Sequence, residues 1–246
     1  MITVLHRKGV AMIELIFAIV IMAIVLLSAP TLINQSVRSG YVALQQESIN
    51  VLASQVNLLL TKEWDVSNTN KRIDPVVLTV DNGNDDLDMV SLTTARRIGT
   101  PIASFRSFVS SEGGVINAVD SGQFGEGNAD DLKVGEPLDD IDDYDGKDTT
   151  LKGDSDAGGD NYIDLNINLR TTVAFGSDNP SSGTYNGTTL TFNHPFNNTP
   201  SGTTNIKLVS VNLTTKSDVK ELAKNIRLSA FMCNLGHYRF AQARDY

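Results

Sequence analysis

His6-Arg-Lys-Gly9 followed by Val10-Ala-Met-Ile-Glu14-Leu-Ile-Phe-Ala-Ile-Val-Ile-Met-Ala-Ile-Val-Leu-Leu-Ser28-Ala-Pro30 is the stretch that decides the architecture. A short basic head meets a glycine, and an apolar run of about twenty residues follows, long enough as a helix to cross the ~30 Å hydrocarbon core of a bilayer. Its one charge is Glu14, near the start. An acidic side chain at mid-membrane costs on the order of 2.5–3.5 kcal/mol on insertion scales. Near the interface the cost is smaller, but the carboxylate still calls for a partner. A conventional secretory signal would be cut behind the apolar run, at a small-residue site. Ser28 and Ala29 are small, but Leu26 and Leu27 before them are large, so the segment is expected to stay with the mature chain. Arg7 and Lys8 favour the cytoplasmic side and send everything after about residue 30 across the membrane.

Basic residues, Gly9, a hydrophobic residue, and Glu14 as the fifth residue after the glycine resemble the class III signal of type IV pilins and type II secretion pseudopilins. The likeness covers roughly the first 35 residues. It implies cleavage by a prepilin peptidase after Gly9, N-methylation of the new amino terminus at Val10, and pairing of Glu14 with the terminal amine of a neighbouring subunit. Val10 itself stands where the family usually carries Phe. The resemblance implies a structural, non-enzymatic subunit of a pilus-like or pseudopilus filament, held in the bacterial inner membrane by a single span with its C-terminal domain periplasmic. Its implied partners are other pilin or pseudopilin subunits, the peptidase, an inner-membrane assembly platform and membrane lipid. Val10, a large acidic loop and the absence of paired C-terminal cysteines point to a minor subunit.

Pro30 removes one backbone hydrogen bond and permits a kink without ending the helix. Beyond it Val37, Tyr41, Leu44, Val51, Leu52, Val56 and Leu59 recur at steps of three, four and seven among polar residues, an amphipathic stripe. A helix over 10–64 follows, roughly 80 Å long at the rise of an α-helix. The chain thus divides into a leader (1–9), a transmembrane and amphipathic helix (10–64), and a β-rich domain (65–246). The fold class expected is α+β, the long helix packed on a mainly antiparallel globular domain.

Within that domain, 76–80 and 89–93 flank Asp81-Asn-Gly-Asn-Asp-Asp and predict a hairpin. Alternation is clear over 162–175, 206–214 and 226–233, and short strands are expected at 102–109, 115–119, 188–192 and 238–240. Asp218 with Glu221 predicts a helical turn or two over 219–224.

Residues 120–164 hold fifteen of the 29 acidic residues against three lysines. Such a composition does not build a core alone, and predicts either a solvated acidic loop or one ordered by cations. Asp154, Asp156, Asp160 and Asp164 put four carboxylates in eleven glycine-opened residues, the oxygen-rich chemistry calcium favours. The run 139–148 is denser still. Neither is an EF-hand loop: counted from Asp154, the fifth position is Gly158 and the twelfth Leu165. Some pseudopilins bind calcium in this domain, so the resemblance admits calcium as a cofactor. The alternative function from a different class is a membrane-anchored periplasmic binding or adhesion domain using this loop.

Net charge is −9, and loss of Arg7 and Lys8 with the leader makes it −11, which argues against nucleic acid as a partner. Enzymatic motifs are missing: His194 and His237 share no metal-ligand spacing, and no nucleophile elbow or phosphate loop occurs. Cys233, the lone cysteine, reads as a small apolar filler.

Overall fold

The computed structural model describes residues 7–69, 76–91, 93–101, 106–110, 113–125, 138–151, 166–193, 200–216, 220 and 222–236. The chain forms two compact units, Met1–Ser48 and Ile49–Tyr246.

The first unit is most of one helix, α1 (Arg7–Leu59), which continues through Pro30. Proline has no N–H to offer the carbonyl four residues back, so the ladder is one bond short there. Around the gap, the Ser28 hydroxyl donates to the Val25 carbonyl at 3.0 Å and the Thr31 hydroxyl to the Ser28 carbonyl at 2.6 Å. Both hydroxyls are thereby satisfied within the helix, as an apolar surrounding requires. Large apolar side chains stand bare all round it, from Met12 to Ile33, with Leu27 75% exposed. It is long and apolar enough to cross a membrane.

The second unit begins with the last turns of α1. Leu52, Val56 and Leu59, spaced four and three apart, are buried in its core. The helix ends at Leu59, five residues before the expected Trp64. Thr61 N–H donates to the Leu58 carbonyl and Lys62 N–H to the Leu59 carbonyl, a tightening three-residue step that closes the helix. Residues 60–64 then lead into the short helix α2 (Val66–Thr69) and carry Trp64 and Asp65 into the interior.

Four antiparallel strands form the main sheet: β1 (Asp148–Leu151), β2 (Asn166–Gly176), β5 (Ile206–Lys216) and β6 (Asn225–Cys233), in the order β1-β2-β5-β6. A small pair, β3 (Ser182–Gly183) and β4 (Leu190–Thr191), lies between β2 and β5 in sequence. The register sets Leu169 opposite Leu213, Thr171 opposite Val211 and Val173 opposite Val209. These odd-numbered positions share one pleat face, and that face is the core. The antiparallel α+β expectation therefore holds at the level of a long apolar helix and a sheet domain.

The hairpin expected from 76–80 and 89–93 does not form. Val76 and Thr79 instead make single parallel bridges to Ser107 and Asn117, and Met89 bridges Arg97. Val76, Val77 and Leu78 are all buried, a continuous apolar run covered on both sides rather than an alternating half-exposed strand. Among the described residues, Lys220 and Leu222 lie in turns rather than helix, and 166–176 is the described part of the strand expected at 162–175. The proposed strand at 238–240 lies outside the described residues.

Candidate functional site

Strand periodicity places Lys207 on the same face as Val209, Val211 and Leu213, so its side chain enters the core. It is 0% exposed. Its Nζ donates to the Trp64 carbonyl at 2.8 Å, to Asp65 Oδ2 at 3.0 Å and to Asp142 Oδ2. Three aromatic rings enclose it, with centroids 4.1 Å away for Trp64, 5.1 Å for Phe124 and 5.4 Å for Phe175. Phe124 and Phe175 also pack on each other at 5.2 Å. A buried ammonium needs paired charge and hydrogen bonds, and ring faces add cation–π attraction.

Each carboxylate is positioned by a separate segment. Asp65 precedes α2 and caps it, Oδ1 accepting from Ser67 N–H at 3.0 Å while Oδ2 accepts from Val119 N–H at 3.0 Å. Asp142 opens the 3₁₀ turn Asp142–Tyr144. That turn is drawn inward by Ile141 and Tyr144, which are buried with Phe124 in the same core. Gly125 N–H and Asp145 N–H both donate to the Asp142 carbonyl, and Ile141 N–H donates to the Glu63 carbonyl. The Asp145 side chain accepts from Val173 N–H at 2.7 Å, tying the turn to β2.

Asp140 completes the cluster. Its Oδ1 accepts from Asp142 N–H at 2.9 Å and Asp143 N–H at 3.1 Å, and its Oδ2 is buried with no partner. Burial pushes its pKa up to about 9, with Asp142 and Asp143 adding repulsion and Lys207 opposing. The group is therefore a neutral acid at pH 7, which removes most of the cost of an unpaired oxygen. Asp143, also buried, has its pKa raised by the same desolvation, held back by N–H groups of Asp139 and Asp140 that donate to its Oδ2.

The acidic run 139–148 is thus not a solvated loop. Asp140, Asp142 and Asp143 are buried; an internal lysine, Lys207, serves as the cation for Asp142, while Asp140 is held as the neutral acid. Sequence reasoning passed over Lys207, Asp65 and Asp140. The signal available was the strand pattern, which put Lys207 on the core face, together with Ile141 and Tyr144 inside the acidic run.

A second polar knot lies among the described residues. The Arg97 guanidinium donates to the Leu87 carbonyl at 2.6 Å, to the Asn234 carbonyl and to Asn205 Oδ1, with Phe108 beneath it at 5.3 Å. Asp178, fully buried, accepts from Asn205 N–H at 3.1 Å and from its amide at 2.7 Å. Loop 81–97, the end of β2 and the end of β6 are joined here. Desolvation lowers the Arg97 pKa, and Asp178 leads the groups that oppose the shift.

Of the residues singled out from the sequence, Gly9 and Val10 lie within α1 and Glu14 is exposed on it. Asp154, Asp156, Asp160 and Asp164 lie outside the described residues, as do His194 and His237. Among the described residues no group of three or more His, Cys, Asp or Glu side chains is arranged to hold a metal ion. Cys233 is a correction: its residue surface is exposed on β6, not a core filler. Neighbouring atoms still desolvate the sulfur and raise its pKa, with Arg97 opposing, the reverse of an activated thiol.

Comparison with protein-family models, with curated proteins and with solved structures gives no match.

Proposed function

We propose that this chain is a structural subunit of a type IV pilus-like or type II secretion pseudopilus filament, cut after Gly9 and assembled through its N-terminal helix. The observation that carries the reading is Glu14, the one carboxylate of the apolar run, five residues after Gly9 on a stretch of helix whose apolar side chains from Met12 to Ile33 are bare all round. A plain anchor has no use for a charge at that depth. A filament supplies one, because the new terminal amine of a neighbouring subunit offsets the carboxylate inside an apolar bundle. The long helix would sit in the inner membrane as a store and then pack with its neighbours in the filament, its last turns buried in the core of its own β domain. Cleavage leaves a mature chain with the charge of −11 noted above, its domain on the periplasmic side.

Intact-mass measurement of the mature protein tests this. A chain beginning at methylated Val10 supports it, and a chain beginning at Met1 or behind residue 29 overturns it.

A further inference from the structure

We propose that Lys207 and Asp142 condense into an intramolecular amide, a covalent cross-link between β5 and the 3₁₀ turn at 142–144, with Asp65 carrying the protons. The site is wholly inside the second unit and does not depend on how the N-terminus is processed.

The fold brings the amine and both carboxylates into direct contact. Lys207 Nζ already touches Asp142 Oδ2, and both side chains are buried, 0% and 1% exposed. Fixing an amine against a carboxyl in this way replaces a bimolecular encounter by an intramolecular step. Asp65 Oδ2 lies 3.0 Å from the same Nζ, so a second carboxylate touches the reacting nitrogen. Asp65 is itself held by Ser67 N–H and Val119 N–H, which fix its orientation and leave Oδ2 facing the lysine. Asp140 holds the backbone of Asp142 from the other side. The rings of Trp64, Phe124 and Phe175 exclude water from the nitrogen. In such a dry setting the Lys207–Asp142 ion pair carries a desolvation cost that a neutral amide does not, while Asp65 keeps its charge and the N–H groups of Ser67 and Val119 that donate to it.

The chemistry balances without any other reactant. One proton passes from the Lys207 ammonium to the Asp142 carboxylate, leaving an amine and a carboxylic acid. The nitrogen lone pair attacks Asp142 Cγ. Asp65 takes a proton from the nitrogen and delivers it to the departing hydroxyl. A C–N bond forms, a C–O bond breaks and one water leaves; nothing is oxidised or reduced. The product is a neutral secondary amide whose N–H faces Asp65.

The arrangement also explains why the cluster is worth burying. A lysine between two aspartates contributes little net stability as ions, whereas an amide fastens a loop outside the regular strands to the central strand β5 irreversibly.

Intact mass and peptide mapping of the purified full-length protein decide the matter. The expected result is a chain lighter than its sequence by one water, and a branched tryptic peptide in which Lys207 is uncut and joined to the Asp142 segment. A succinimide at Asp145-Gly146 would give the same deficit, but hydroxylamine cleaves it and leaves the amide intact. An Asp142→Asn variant supplies an independent signature: condensation then releases ammonia rather than water, and the product is identical to the wild-type cross-link. A full-mass wild-type chain with Lys207 cleaved by trypsin overturns the proposal. So does a deficit that maps to Asp145.

Discussion

Lys207 sits 4.1 Å from the centroid of the Trp64 ring while donating a hydrogen bond to the carbonyl of that same residue. One tryptophan thus supplies both a ring face and a backbone acceptor to a single buried ammonium. It can do so because α1 stops at Leu59 rather than running on to Trp64. With the helix ended, residues 60–64 carry the Trp64 ring and backbone into the interior together. The early helix end, five residues short of the bound expected from the sequence, is part of how the site is built.

Lys207→Met keeps the volume and removes the charge. It leaves Asp65 and Asp142 buried without their shared cation, a loss of about 3–5 kcal/mol by the usual cost of breaking a buried pair. Urea unfolding of the detergent-solubilised full chain, followed by the fluorescence of its one tryptophan, Trp64, reads this directly. Adding Asp65→Asn and Asp142→Asn to the same chain should recover the part of the loss that comes from charge, since no uncompensated charge then remains, but not the part that the Lys207–Asp142 cross-link contributes. A triple variant no more stable than Lys207→Met would show that the lysine acts through packing instead.

Asp140 makes stability depend on pH with a defined sign. Its folded pKa, about 9, lies above the ordinary carboxylate value of 3.8, so the native state binds the extra proton between those limits. Its contribution is therefore fully present in acid and is lost as pH rises toward and through 9, at no more than about 1.4 kcal/mol per pH unit. Asp140→Asn mimics the protonated acid and keeps the Oδ1 acceptor for Asp142 and Asp143. The melting temperature of the variant should fall less than that of the wild type between pH 6 and pH 9. Parallel curves would place the proton elsewhere.

Much of this was legible in the sequence, for a physical reason. Strand β2 alternates because one pleat face is buried, whereas β5 is buried on both faces over 207–211; α1 was visible because nothing but a long helix accommodates an unbroken apolar run beside Pro30. The hairpin at 76–93 failed because Val76-Val-Leu78 has no polar face, a pattern compatible with burial on two sides as much as with a strand. The acidic stretch was misread at 139–148 because composition counts charge without asking what lies opposite. Asp140 and Asp142 are adjacent to Ile141, whose burial brings them inward, and the cation that pairs with Asp142 is more than sixty residues away in sequence. Contact of that kind leaves no local mark, apart from a lysine at a core position of an alternating strand.

The Arg97 knot tests a purely structural device. Its planar guanidinium reaches acceptors on three residues from different segments, Leu87, Asn205 and Asn234, while lying on Phe108. Arg97→Lys keeps the charge but offers a point donor that does not match that fork. Loss of one or two charge-assisted bonds, two of whose acceptors lie on the buried Asn205 and Asn234, should cost about 2–3 kcal/mol. Chemical denaturation checks the size. Hydrogen exchange should show faster exchange at Asn234 and Leu78, whose backbone groups close the same knot. Unchanged stability would mean that water replaces the arginine freely.

Glu14 carries the last prediction, which bears on assembly rather than folding. Glu14→Ala removes the only acidic residue from the apolar run, so membrane insertion should improve or stay the same; the insertion cost of a charge at the bilayer centre is on the order of 2.5–3.5 kcal/mol, and less near the interface. The β domain should be unaffected, because Glu14 lies in the first compact unit and the core in the second. What should fall, at least tenfold, is recovery of the protein in sheared filament fractions, since the amine of a neighbouring subunit would lose its buried counter-charge. Glu14→Gln separates charge from size: it keeps a hydrogen-bond acceptor and should assemble poorly as well, because an uncharged amide does not neutralise an ammonium in an apolar bundle. Normal incorporation of both variants, at wild-type membrane levels, would remove the pairing and leave α1 as an anchor.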